Sequence, residues 1–141
     1  MLTEVRGAGE IVLASMLFDH TALCAALLAR LGQRTAFTLT VLVDAQAFKQ
    51  RTALNQRPRL DSLRRAGALV YLCRGRVPRG IFHIKALVVD RRVGFAGGAN
   101  FTNKSLQNAE LTWRFSGPPV ADVLREVEAA RGQGVLWDGR T

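Results

Sequence analysis

A chain of 141 residues, 48% of them apolar, can bury about two-thirds of its unfolded surface and is too apolar to be disordered. Its 20 Lys and Arg against 11 Asp and Glu leave a formal charge of +9, which favours a polyanionic partner: nucleic acid first, an anionic membrane surface second. No apolar run reaches the ~20 residues that cross a bilayer, and Met1-Leu2-Thr3-Glu4-Val5-Arg6 lacks the basic-then-apolar pattern of a secretory leader, so we expect one cytoplasmic domain over residues 1–141.

In chain order, Ile11 to Met16 is a short apolar run and reads as a buried strand. Asp19 is placed to cap the helix that follows, where Leu23, Leu27 and Leu31 recur at helical spacing and Gly32 closes it. Phe37 to Val43 is rich in β-branched and apolar residues and predicts a second strand. Ala45 to Pro58 is polar and basic, part helix and part loop. Arg59 to Ala66 predicts a short helix ended by Gly67, and Ala68 to Cys73 a third strand. Gly75, Pro78 and Gly80 make Arg74 to Gly80 a loop. His83 to Val89 predicts a fourth strand. Arg91 and Arg92 are placed for a tight turn before a fifth strand, Val93 to Ala96. A short helix over Phe101 to Leu106 and a strand over Asn108 to Phe115 follow. Pro118 and Pro119 open a last helix to Arg131, with Val120, Val123, Leu124 and Val127 on one face. Strands and helices interleave, so the expected fold class is α/β, a mixed sheet with helices on both faces.

Arginine crowds the middle third, at Arg51, Arg57, Arg59, Arg64, Arg65, Arg74, Arg76 and Arg79. Its planar fork suits phosphate better than a lysine ammonium does. Arg74, Arg76, Arg79 and Lys104 are the candidates for nucleic-acid contacts. Cys24 and Cys73 are isolated, with no second cysteine or histidine at ligand spacing. They read as two buried thiols rather than a zinc site, and we expect no metal.

The stretch from His83 to Asn100 carries the chemistry. His83-x-Lys85-x4-Asp90 is followed, after six residues, by Gly97-Gly98-x-Asn100. An imidazole, an ammonium, a bare glycine pair and an amide can together hold and cut a phosphodiester. Residues two apart on a strand project from one face, about 6.5–7 Å apart, so His83 and Lys85 point the same way. Gly97 and Gly98 admit close backbone approach to a phosphate. Asn100 can donate its amide to a phosphate oxygen, and a helix beginning near Thr102 aims its N-terminal amides at the same place. Asp90 has the opposite parity and is expected to order the strand end and turn. Asn103 and Asn108 read as caps or turn residues as easily as site residues, and His20 as structural.

This pattern resembles the H-x-K-x4-D-x6-G-[S/G]-x-N signature of the phospholipase D superfamily. The sequel Asn100-Phe101-Thr102-Asn103-Lys104-Ser105-Leu106 and Asn108-Ala109-Glu110 agrees with it, as do Phe18-Asp19 and Thr38 to Asp44 at the ends of the first two strands. The likeness runs from about Glu10 to Trp137. It points to the endonucleases with a single HKD motif, such as the bacterial single-motif nucleases and Zucchini-like proteins. The resemblance implies a phospholipase D-like fold and a covalent phosphohistidine on His83. A second histidine protonates the leaving oxygen, and His20 lies in a different setting, so the resemblance implies a homodimer that brings two His83 together. No metal or cofactor is implied. Glu110 matches the acid that hydrogen-bonds the catalytic histidine. Two departures stand out: Gly98 replaces a frequent serine, and the helix that usually precedes the first strand is not expected in the ten residues before it, which contain Gly7 and Gly9. A phospholipid phosphodiesterase, or a silent nucleic-acid-binding subunit of a larger complex, are the competing readings. No membrane-docking stretch supports the first, and both His83 and Lys85 are retained against the second.

Overall fold

The structure, a computed structural model, describes residues 1–50 and 54–140. Its elements are α1 (Leu2–Gly7), β1 (Glu10–Ser15), α2 (Thr21–Leu31), β2 (Thr38–Asp44), a 3₁₀ turn at Ala47–Lys49, α3 (Gln56–Arg65), β3 (Leu69–Cys73), β4 (Ala86–Val89), β5 (Val93–Gly97), a 3₁₀ turn at Ser105–Gln107, β6 (Thr112–Ser116), α4 (Pro118–Gly132) and β7 (Val135–Leu136). The strands form one mixed sheet in the order β6-β5-β4-β1-β2-β3-β7. β1, β2 and β3 run parallel. β4 joins β1 antiparallel and leads into the antiparallel β4–β5–β6 meander, while β7 closes the other edge against β3.

The two-residue period of the strands divides their apolar side chains between two cores. Ile11, Leu13, Leu39, Val41, Val43, Leu87 and Val89 face Val5 of α1, Leu23 and Leu27 of α2, and Leu60 and Leu63 of α3. Val12, Ala14, Leu42 and Val88 face Val120, Leu124 and Val127 of α4. Helices therefore cover both faces, as the interleaved pattern predicts.

Several local expectations are corrected. The helix before β1 is present: α1 spans six residues, with Val5 fully buried. The buried guanidinium of Arg30 donates through Nε to the Ala8 carbonyl at 2.7 Å, just past the end of α1. Six residues carry too little periodicity to be read from sequence, and tertiary contacts hold them in place. His20, rather than Asp19, caps α2, its Nδ1 accepting from the Leu23 N–H at 3.2 Å. Asp19 instead accepts from the Asn103 N–H at 2.8 Å. Residues 101–106 form turns and not a helix, because their backbone is tied to the β1–α2 connection: the N–H groups of Asp19 and His20 donate to the Phe101 carbonyl. β6 begins at Thr112, later than expected, and β7 was not foreseen. Arg51 lies outside the described residues.

Asp90 shapes the end of the β4–β5 connection. Asp90 and Arg91 both have positive φ, 51° and 55°, and the Arg92 N–H donates back to the Val89 carbonyl at 3.0 Å. Positive φ at both central positions is the type I′ hairpin geometry that matches strand twist. The turn is thus centred one residue earlier than Arg91-Arg92. Asp90 Oδ1 also accepts from the N–H groups of Gly9 and Glu10, both at 2.8 Å, stitching the hairpin to the start of β1. Asp90→Ala loses both acceptor contacts and puts a methyl where the left-handed backbone is disfavoured. We expect a loss of roughly 1–3 kcal/mol, read as a lowered midpoint in urea unfolding. Asp90→Asn keeps the acceptor and tolerates positive φ, so it should recover most of the loss.

Cys24 and Cys73 are both buried and unbridged. Burial raises both thiols, Cys73 to about 11 with a further push from the Asp44 charge. They are inert core residues at neutral pH.

Candidate active site

His83 and Lys85 lie just before β4, which starts at Ala86, so pleat parity is not what pairs them. The Lys85 side chain folds back instead. Its Nζ lies 2.8 Å from His83 Nδ1 and donates to the His83 carbonyl at 3.0 Å. An ammonium only donates, so this contact makes Nδ1 the acceptor and leaves the neutral ring's proton on Nε2. His83 is exposed while Lys85 is only 7% exposed. Burial pulls the Lys85 ammonium below the ordinary lysine value, and the Glu110 charge opposes that shift.

Two buried polar residues that the sequence reading passed over hold this segment. Asp44, at the end of β2, accepts through Oδ1 from the N–H groups of Gln46 and Ala47, at 3.0 and 2.7 Å. Its Oδ2 accepts from the Phe82 N–H at 2.7 Å, which fixes the backbone next to His83. Ser15, at the end of β1, is fully buried. Its Oγ donates to the Leu17 carbonyl at 2.5 Å, accepts from the Phe101 N–H at 3.1 Å and lies 3.4 Å from Asn100 Oδ1. A polar residue ending each of two adjacent parallel strands is the signal that was available, because sites in such sheets gather at the strands' carboxyl ends.

Gly97 and Gly98 differ in role. A Cβ at Gly97 would lie 2.0 Å from the Leu111 carbonyl oxygen, so its bareness serves the β5–β6 crossing rather than a phosphate. A Cβ at Gly98 would meet only the Glu110 carboxylate, at 3.2 Å. Glu110 is near Lys85 and Gly98. Its described hydrogen bond is accepted from Asn108 Nδ2, at 3.4 Å; the expected one with His83 is not among those described, and His83 Nδ1 faces Lys85 instead. The helix expected to begin near Thr102 is not formed, since residues 101–104 are turns, so it aims no N-terminal amides at Asn100.

An open cleft of about 980 Å³ runs between the 74–86 segment and α4, and His83, Lys85, Arg74 and Arg76 all line it. Arg76 reaches across its mouth to pair with Glu126 of α4. Arg79 sits on the exposed tip of the loop, and Lys104 lies in the turn after Asn100, outside the cleft lining. Among the described residues no group of three or more His, Cys, Asp or Glu is placed to hold a metal ion. No helix among them is long and apolar enough to cross a membrane.

Comparison with known proteins bears on the fold. The fold is similar to that of Nuc from Salmonella typhimurium, a phospholipase D family member, with a TM-score of 0.81 at 18% identity over 96% of this chain and 87% of that one. It is equally similar to NucT from Helicobacter pylori, with a TM-score of 0.81 at 16% identity and the same coverage. The phosphatidylserine synthase of Haemophilus influenzae Rd KW20 matches with a TM-score of 0.70 at 15% identity, over 96% of this chain and 36% of that one. No curated protein matches the sequence. The family model for the cardiolipin synthase PLD-like domain matches residues 5–130, which take in both cores' helices and every candidate site residue, and the chain therefore belongs to that family.

Proposed function

We propose that this chain is a metal-independent phosphodiesterase that cuts nucleic acid through a phosphohistidine intermediate, working as a homodimer with one HKD motif per chain. The observation that supports it best is the exposed His83 with the Lys85 ammonium 2.8 Å from its ring, at a cleft flanked by Arg74 and Arg76, on a chain of charge +9. An incoming phosphate draws Lys85 off Nδ1 onto a non-bridging oxygen. The ring then changes tautomer, releasing its Nε2 proton to solvent and taking one at Nδ1, whose N–H Glu110 can accept, and the bare Nε2 attacks phosphorus as the bond to the leaving oxygen breaks. His83 of the partner subunit, entering the step as the imidazolium, gives its proton to that oxygen and becomes the neutral base. Water then attacks the phosphohistidine, losing a proton to the partner's imidazole. Lys85 and the Asn100 amide stabilise the charge on the equatorial oxygens.

The test is cleavage of labelled single-stranded DNA, duplex DNA and RNA in excess EDTA. EDTA-resistant cutting, with binding that weakens steeply as salt rises, is the expected result. Hydrolysis of phospholipid vesicles with no action on polynucleotides would sink the nuclease reading. A pH prediction follows from Lys85. Its ammonium sits below the usual lysine range, and Glu110 supplies the opposing upward pull. Removing that charge in Glu110→Gln lets Lys85 lose its proton at lower pH, so the alkaline limb of the cleavage profile should move to lower pH. A limb that stays in place would show that Lys85 does not set it.

A further inference from the structure

The cleft beside His83 is far more apolar than a phosphodiester requires. Its walls are made by Ile81, Ile84, Ala86, Ala96, Val123 and Ala130, and Ile81 is 48% exposed. At about 980 Å³ it falls at the upper end of the range for small-molecule sites. We propose that this cleft is a nucleobase subsite: it takes the unstacked base next to the scissile phosphate, so the preferred substrate is single-stranded nucleic acid. This inference rests on the phosphodiesterase reading above and names the form of its substrate.

The chemistry of the two walls favours a base. Arg74 and Arg76 stand on the loop side, and Asp122, Glu126 and Gln133 on the α4 side. A phosphate backbone suits the first and is repelled by the carboxylates of the second. A base edge carries N–H groups that need acceptors, and Glu126 and Gln133 provide them. An acyl chain has no use for these acceptors, and the same carboxylates would face the phosphates of an anionic lipid surface. The Arg76–Glu126 pair across the mouth is exposed on both sides, 87% and 52%. Such a pair is worth little in water, so a substrate phosphate can take Arg76 and open the cleft. A base in a duplex is stacked and paired and must be extruded to enter, at the cost of that stacking and pairing, whereas a base in a single strand is already accessible.

The experiment moves one abasic tetrahydrofuran residue along a labelled single-stranded oligonucleotide. Cutting at the bond beside the missing base should fall at least about tenfold relative to the intact strand, the scale of removing about 50–60 Å² of apolar surface from water. The intact single strand should also be cut faster than its duplex. Ala129→Trp, at an exposed α4 position that lines the cleft, fills the space and should bring the intact-to-abasic ratio close to one. The wild-type scan stands by itself if that variant folds poorly. Wild-type cutting that ignores the missing base overturns the subsite and leaves the nuclease reading standing. Absence of polynucleotide cutting by the wild type overturns both, and hydrolysis of phosphatidylglycerol vesicles slowed by Ala129→Trp would then assign the cleft to an acyl chain.

Discussion

His83→Ala is expected to lower cleavage of nucleic acid in excess EDTA by at least about 10³-fold while the protein stays folded and still binds its substrate. Two features lead there. His83 is exposed and belongs to neither core, so its removal leaves no cavity, and surface changes of this kind usually cost no more than about 0.5 kcal/mol. Its described side-chain contact is with Lys85, and the cations that would hold a polyanion remain. Loss of rate without loss of salt-sensitive binding separates a nucleophile from a docking residue. In a dimer each site would lose both histidines at once, so no residual turnover from the acid partner is expected. Unchanged cutting by the variant would mean that the chemistry lies elsewhere, and cutting that EDTA stops would point to a metal-dependent route.

Gly97→Ala should be the most destabilising single change in the site region, with a loss of about 3 kcal/mol or more. The added methyl would sit 2.0 Å from the Leu111 carbonyl oxygen and 3.0 Å from the Thr112 Cα, both backbone atoms of the neighbouring chain segment. Backbone cannot swing aside as a side chain can. The β5–β6 ladder must open instead, and with it the bond from the Gly98 N–H to the Leu111 carbonyl at 3.2 Å. Urea unfolding of the variant measures the loss directly. Gly98→Ser provides the contrast one residue on. Its Cβ meets only the flexible end of Glu110, so it should fold normally, and its hydroxyl can donate to that carboxylate. A stable Gly97→Ala protein would show that the β5–β6 crossing yields more easily than its geometry indicates.

The layered architecture was legible because it rests on periodicity. Alternating apolar residues in β1, β2 and β4 and the Val120–Leu124–Val127 stripe of α4 identify both cores before any contact is known. His83, Lys85, Gly97, Gly98 and Asn100 were singled out by their spacing and its likeness to a family signature, and their part in the chemistry is proposed. What escaped depends on long-range contacts. α1 is held by Arg30, which is 22 residues from Ala8. The 101–106 turns follow the β1–α2 connection rather than their own helix propensity. The Lys85–His83 contact arises from a side chain folding back, whereas parity would only have set the two side by side. Asp44 and Ser15 looked like strand ends, and their partners at Phe82 and Phe101 are 38 and 86 residues away.

The sheet order has an evolutionary consequence. Every residue proposed for the chemistry lies between positions 83 and 110, on the β4–β5–β6 meander and its connections. The parallel half of the molecule serves as its mount, joined through the β1–β4 ladder and through single carboxylates and hydroxyls such as Asp90, Asp44 and Ser15. Drift in α1, α2, α3 or the parallel strands therefore needs only to preserve volume and those few anchors, while the loop at 74–80 and the exposed face of α4 carry none of the groups proposed to react. A scaffold divided in this way tolerates heavy substitution, and a TM-score of 0.81 at 18% identity is the outcome such a division of labour permits.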